Sequence, residues 1–297
     1  MLNVKCQKFK AMLIALPPLA AEQIFQIGSL PITNSMVNSF LALVLFVVFA
    51  FFLKIGINKY YNNGLAPKGL LNFFEGILEF VLGYIDGVTK DRKKSLKFLP
   101  IVGSLFFFIL ISNWMGLLPG TGSIGIWQLH HGEVELIPLL RPANTDLNMT
   151  LAMAIFAVVA SHILGIAAIG FFKYANKFIK LGDIYRALKS LKPINILIAI
   201  IEFFVGLIEV FSEVAKMVSL SLRLFGNIFA GEVLLTVLAG LIAYFVPLPF
   251  MALELLVGAV QATVFSMLTL VYLTIATTEV HGHGEEHKLA EPLTVNN

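Results

Sequence analysis

A chain of 297 residues that is 58% hydrophobic and 13% charged, with 26 phenylalanines, falls outside the soluble globular class and reads as a membrane protein. Its single cysteine, Cys6, excludes an internal disulfide framework and a multi-cysteine metal centre. The net charge of +3 says little as a total, because in a bilayer protein it is the position of lysine and arginine relative to the spans that informs.

Residues 1–21 carry Lys5, Lys8 and Lys10, a short apolar stretch and Leu19-Ala20-Ala21, which resembles a secretory signal with a small-residue cleavage site. The alternative is a plain disordered or interfacial N-terminus, since the apolar part is too short to span. After this segment, 1–35, a single membrane domain is expected over 36–278. Its first span is 36–53, free of charge and closed by Lys54. Residues 55–95 belong at the interface, with a surface helix over 70–84 introduced by Pro67 and followed by Lys90-Asp91-Arg92-Lys93-Lys94. A second span, 98–118, ends at Pro119-Gly120. The loop 119–148 holds one basic residue, Arg141, whereas the loop after the third span, 149–172, holds Lys173, Lys177, Lys180, Arg186, Lys189 and Lys192. The positive-inside bias therefore places 54–97 and 173–192 in the cytoplasm, and the loop 119–148 and the chain's start outside. A basic N-terminus outside is anomalous, and cleavage of a signal segment would remove the anomaly.

The last third differs in kind. A proline-free helical run over 194–240 is followed, after Pro247 and Pro249, by another over 250–278, so the two form a hairpin. At 1.5 Å per residue the first is roughly 70 Å long against a core of roughly 30 Å, so it breaks or lies strongly tilted. The expected fold class is an all-α membrane protein of about five transmembrane helices plus an interfacial amphipathic helix. Residues 279–297 form a cytoplasmic tail.

The long helix carries Glu202, Glu209, Glu213, Lys216, Arg223 and Asn227 within roughly 80° of one another at 100° per residue. A polar stripe on an apolar helix lines an aqueous path or meets a polar partner, because exposing it to lipid costs a few kcal/mol per group. Internal pairing for packing is the alternative, and Glu213 with Lys216 has i,i+3 spacing for it. Glu232 points roughly half a turn away from Arg223. In an antiparallel hairpin Gln261 falls level with Arg223, where its amide oxygen can orient the guanidinium, and Glu254 falls level with Glu232 as a carboxylate pair nearer the outside loop. Two such carboxylates can take up and release a proton near neutral pH. Arginine is instead a fixed charge that attracts a moving carboxylate and cannot relay a proton. No glycine loop ending in Lys-Ser or Lys-Thr, no HExxH and no GxSxG occurs, so the chain has no visible nucleotide or hydrolytic site, and nothing marks a cofactor, a metal or a nucleic-acid partner.

Ser219-Leu220-Ser221-Leu222-Arg223-Leu224-Phe225-Gly226-Asn227, continuing through Ala230-Gly231-Glu232, resembles the signature of subunit a of F-type ATP synthases. The resemblance extends to Gln261-Ala262, to Asn113 with Gly116-Leu117-Leu118-Pro119, and to Asp146-Leu147-Asn148-Met149-Thr150, covering roughly Pro31 to Thr278. It implies a tilted hairpin wrapped against a rotating ring of c subunits, with the b subunits of the peripheral stalk and the other subunits of the complex as further partners. It also implies an integral protein of the bacterial plasma membrane that is no enzyme by itself. Arg223 matches the stator arginine that engages the ring carboxylate. Glu232, Gln261 and Asn227 match polar residues beside the ion path, Asn113, Asp146 and Asn148 match residues near the outside opening, and Glu254 matches a variable position. A cytoplasmic half-channel is placed along Glu202, Glu209, Glu213, Lys216 and Ser219. Whether the ion is H⁺ or Na⁺ rests with the ring.

Among the histidines, His130 and His131 read as solvated loop residues and His162, inside a span, as a packing residue before a path-lining one. His281, His283 and His287 read as part of a disordered tail. Two rival functions remain at this level. A stand-alone transporter commonly shows repeated halves and broken midplane helices, neither visible here, and a non-conducting anchor would tolerate an apolar replacement of Arg223.

Overall fold

The structure, a computed structural model, describes residues 17–62, 68–118, 121, 124–130, 133–179, 193–241 and 245–278. The lysine-rich start of the expected signal, Pro119-Gly120, His131, Arg186, Lys189, Lys192 and the histidine-bearing tail lie outside them. Two short strands, β1 (Gln23–Ile27) and β2 (Leu30–Thr33), form an antiparallel hairpin turned at Gly28, whose positive φ favours glycine. Among the described residues seven helices follow: α1 (Asn34–Asn62), α2 (Leu70–Thr89), α3 (Arg92–Met115), α4 (Leu147–Ile169), α5 (Phe171–Ile179), α6 (Pro193–Leu241) and α7 (Pro247–Thr277). Between α3 and α4 lie a second antiparallel hairpin, β3 (Gly125–His130) with β4 (Glu133–Pro138), and a 3-10 turn at Ala143–Thr145.

Several boundaries differ from the sequence expectation for identifiable reasons. The span expected at 98–118 begins at Arg92, because the Asp91 carboxylate accepts from the Lys93 amide at 2.9 Å and caps the helix. The span expected at 149–172 begins at Leu147, where Asp146 accepts from the Asn148 amide at 2.9 Å. It ends at Gly170, whose φ of 93° breaks the helix before α5. The surface helix expected at 70–84 runs on to Thr89, and Lys90 closes it in the left-handed conformation. At the corner that follows, the Asp86 carboxyl is held below its usual range by the Ser95 hydroxyl and then by the Arg92 guanidinium that pairs with it.

Among the described residues, four helices are long and apolar enough to cross a membrane: α1, α3, α4 and α7. α1 turns Phe40, Val47, Phe51 and Phe52 outward with almost nothing covering them, whereas α3 buries Phe98, Val102, Phe106, Phe107, Ile109 and Leu110. An apolar helix bare on nearly every side is stable only with hydrocarbon around it. The chain divides into two compact units, one of Met1–Val158 with Ser212–Val271 and one of Val159–Phe211 with Tyr272–Asn297. In the second, His162 Nδ1 meets the Tyr174 hydroxyl at 2.6 Å. There too the Gly165 Cα packs so closely that an added Cβ would lie 2.6 Å from the Tyr174 ring and 2.7 Å from the Ala276 carbonyl.

Candidate functional site

In the first unit the polar side chains are not scattered but form a seam from the loop side of α1 to the middle of α6. Asp146 accepts from Ser35 Oγ at 2.7 Å, so the N-cap of α4 is tied to the start of α1. Asn38, fully buried one turn further along α1, donates to the Arg141 carbonyl at 2.7 Å. Asn113 on α3 donates to the Gly258 carbonyl of α7 at 3.0 Å and accepts from Asn144 at 2.6 Å. Beside it, Trp114 Nε1 donates to the Leu255 carbonyl at 3.1 Å. Thr150 of α4 meets Ser221 of α6 at 3.1 Å with both side chains buried. Where lipid surrounds the bundle, such bonds are the means by which polar groups on apolar helices avoid exposure.

Arg141 is the residue that sequence reasoning missed as a partner. It is 2% exposed, and its Nε and Nη2 grip the Glu232 carboxylate at 3.0 to 3.3 Å while Nη1 donates to the Ala20 carbonyl at 3.2 Å. Of the expected Glu232–Glu254 carboxylate pair, Glu232 is thus engaged by a cation. Both glutamates line one cavity of about 330 Å³, together with Asn113, Arg141, Thr236 and Met251, but Glu232 is ion-paired. Glu254 has no hydrogen bond or ion pair among the described residues. Its carboxyl lies against the bare Cα of Gly231, where a Cβ would come within 2.1 to 2.2 Å of its atoms. The signal for Arg141 was present in the sequence, as the lone basic residue of the loop 119–148.

Arg223 has no hydrogen-bond or ion-pair partner among the described residues, and it is exposed. Gln261, buried to 3% exposure, does not reach it: its amide oxygen accepts from Asn227 Nδ2 at 2.8 Å, one helical turn beyond the arginine, and its Nε2 is buried with no hydrogen-bond partner among the described residues. Long side chains bridge the offset that level-matching along the hairpin ignored. Around Arg223 the exposed face of α6 is built of Ala215, Ser219, Leu222, Gly226, Asn227 and Ala230, and an added Cβ at Gly226 meets nothing within 4 Å. Glu213 and Lys216 pair at 2.6 Å on the same helix, as their spacing predicted. Glu202 and Glu209 lie in the second unit, each half-buried. No group of three metal-ligating side chains occurs among the described residues.

The fold and the seam define a mostly helical integral membrane protein with ionisable groups inside its apolar bundle. The chain belongs to the ATP synthase A chain family, whose model matches residues 36–274, and so to a family of ATP synthesis and ion transport at a membrane. It is 30% identical to ATP synthase subunit a of Moorella thermoacetica over 261 residues, which cover 88% of this chain and 97% of that protein. It is 32% identical to the subunit a of Mycobacterium ulcerans over 82% of this chain and 86% of that one. The subunit a of Campylobacter jejuni subsp. jejuni serotype O:23/36 is 34% identical over 74% of this chain and 81% of that one.

Proposed function

We propose that this chain is the ion-conducting stator of a rotary ATP synthase, passing protons through two offset half-channels to and from carboxylates on a ring of c subunits. The observation that carries the reading is Arg223: a permanent cation, unpaired among the described residues, on an exposed face of small side chains. Leaving such a charge against lipid costs a few kcal/mol or more, so its counter-charge comes from another subunit. A face of Ala215, Ser219, Gly226 and Ala230 lets a neighbouring helix approach closely.

Protons enter from outside past Asp146, Asn148 and Asn113 into the cavity that holds Glu232 and Glu254, and from there reach a ring carboxylate. Neutralised, that carboxylate can turn through lipid. On the cytoplasmic side Glu213, Lys216 and Ser219 form the polar surface where the proton leaves. The ring carboxylate, again an anion, is drawn to Arg223, and the fixed charge blocks a direct leak between the half-channels. Asn227 and Gln261 hold the two hairpin helices together beside it. The available energy is about 2.3 kcal/mol per charge per 100 mV, which rotation accumulates for synthesis on catalytic subunits elsewhere. The chain itself makes no ATP. Its tail and basic loops face the cytoplasm of a bacterial plasma membrane, and the peripheral-stalk b subunits hold it against rotation.

Disulfide cross-linking tests the assignment of the face. In a C6S background, Ala230→Cys on α6 is expected to form a bond with a cysteine on the carboxylate-bearing helix of the c subunit. Phe51→Cys on the bare outer side of α1 is expected to form none. Equal yields at both positions would sink the assignment.

A further inference from the structure

The corner between α2 and α3 gathers charge that the described residues do not balance. Lys90, Arg92, Lys93, Lys94 and Lys97 are all exposed there. Both carboxylates of the corner are already engaged: Asp91 accepts from the Lys93 amide at 2.9 Å, and Asp86 pairs with Arg92. The backbone beneath is well fixed, because Ser95 is fully buried and its hydroxyl meets that of Thr89 at 2.6 Å and donates to the Asp91 carbonyl at 3.0 Å. Lys90, Lys93, Lys94 and Lys97 have no hydrogen bond or ion pair among the described residues. Lys93, Lys94 and Lys97 fall within about 100° of one another on the first turns of α3, where positive charge runs against the helix dipole and an anion relieves it. Beside these cations the surface is apolar. Leu96 is half exposed, and α2 presents Leu70, Phe73, Phe80, Tyr84 and Val88, all exposed and within about 80° of one another, with Glu75 and Glu79 on the opposite side of the helix.

We propose that this corner is a binding site for an anionic phospholipid, whose phosphate sits among Lys90, Lys93, Lys94 and Lys97 while its acyl chains cover Leu96, Tyr84 and Val88. An apolar stripe that ends in unpaired lysines has the two-part character of a lipid: the lysine stems lie along hydrocarbon and their ammonium groups reach the headgroup level. A soluble anion would answer the charge and leave Tyr84, Val88 and Leu96 against water, and so would an acidic protein segment. Each lysine close to an anionic membrane surface is worth about fivefold in attraction, so four of them select strongly for an anionic over a zwitterionic headgroup. The bound lipid would hold the end of α2 and the start of α3 at one depth in the leaflet.

Photo-crosslinking in the whole complex, reconstituted into phosphatidylcholine vesicles, tests this. The vesicles carry a trace of either phosphatidylglycerol or phosphatidylcholine with a diazirine in the acyl chain, and labelled peptides are mapped by mass spectrometry. The phosphatidylglycerol probe is expected to label the peptide of residues 84–97 at least about tenfold more than the phosphatidylcholine probe, an excess that falls as salt is raised. Unlabelled phosphatidylglycerol should displace it, and water-soluble glycerol phosphate should not. In K90Q/K93Q/K94Q/K97Q the excess is expected to disappear, whereas the matching arginine variant, K90R/K93R/K94R/K97R, keeps it. K54Q/K59Q, which removes exposed lysines from α1, is expected to leave it unchanged. Equal labelling of wild type by the two probes overturns the proposal without recourse to any variant. Labelling by neither probe would show that another subunit covers the corner, and displacement by glycerol phosphate would make it a soluble phosphate site; either result overturns it. So does an excess that survives the glutamine variant, or one that K54Q/K59Q lowers as much, since the attraction would then belong to the general charge of the protein.

Discussion

Single positions carry the site because lipid leaves polar groups few places to go. Gly231 is the clearest case. Alanine there would place a methyl 2.1 to 2.2 Å from the Glu254 carboxyl atoms, and since these are the end of a flexible side chain the carboxyl moves and the backbone does not. Gly231→Ala is therefore expected to assemble normally and to lose about tenfold or more of the proton pumping, the cost of misplacing a reacting group by about an ångström. Pumping equal to wild type would mean that the position of Glu254 is immaterial. Gly226 supplies the contrast, for within the chain its added methyl meets nothing. The residues that the family signature names, Arg223, Asn227, Glu232 and Gln261, were legible in the sequence because their types are out of place in an apolar helix. Arg141 was legible only as a lone loop cation. Its pairing with Glu232, 91 residues away, depends on how the loop packs, which periodicity does not encode.

Among the elements, helices were readable from hydropathy and proline spacing, while their ends were set by capping side chains such as Asp91 and Asp146 that hydropathy overlooks. The two short hairpins escaped because a few alternating residues between apolar runs give too weak a period to register. Level-matching along the α6–α7 hairpin placed Gln261 against Arg223, and the actual bond to Asn227 shows a shift of one turn, within reach of long side chains. The α3–α7 contact rests on Asn113, which bonds the Gly258 carbonyl and Asn144 at once, with Trp114 beside it. Asn113→Ala removes a buried donor and acceptor together and strands the side chain of Asn144. It is expected to weaken the packing by about 1 to 3 kcal/mol. Faster hydrogen exchange in α7 around Gly258, with little change in α2, would be the signature; unchanged exchange at Gly258 would contradict it.

At the scale of the whole molecule, the bundle is bare on the flank of α1 and on the Arg223 face of α6, and the two surfaces differ in kind. The first is continuous hydrocarbon and suits lipid. The second is a file of small residues around one cation that is unpaired among the described residues, which on the proposed function meets a moving helix that brings its own carboxylate. Under the proposed function, charge attraction at this face and proton delivery from the cavity of Glu232 and Glu254 act on one passing group. ATP-driven proton pumping in inverted vesicles carrying Arg223→Ala, with assembly of the complex matched to wild type, is the measurement that decides this reading. Pumping is expected to be abolished while the complex stays intact; pumping at the wild-type level from an intact complex would contradict the role of Arg223 as the fixed stator charge.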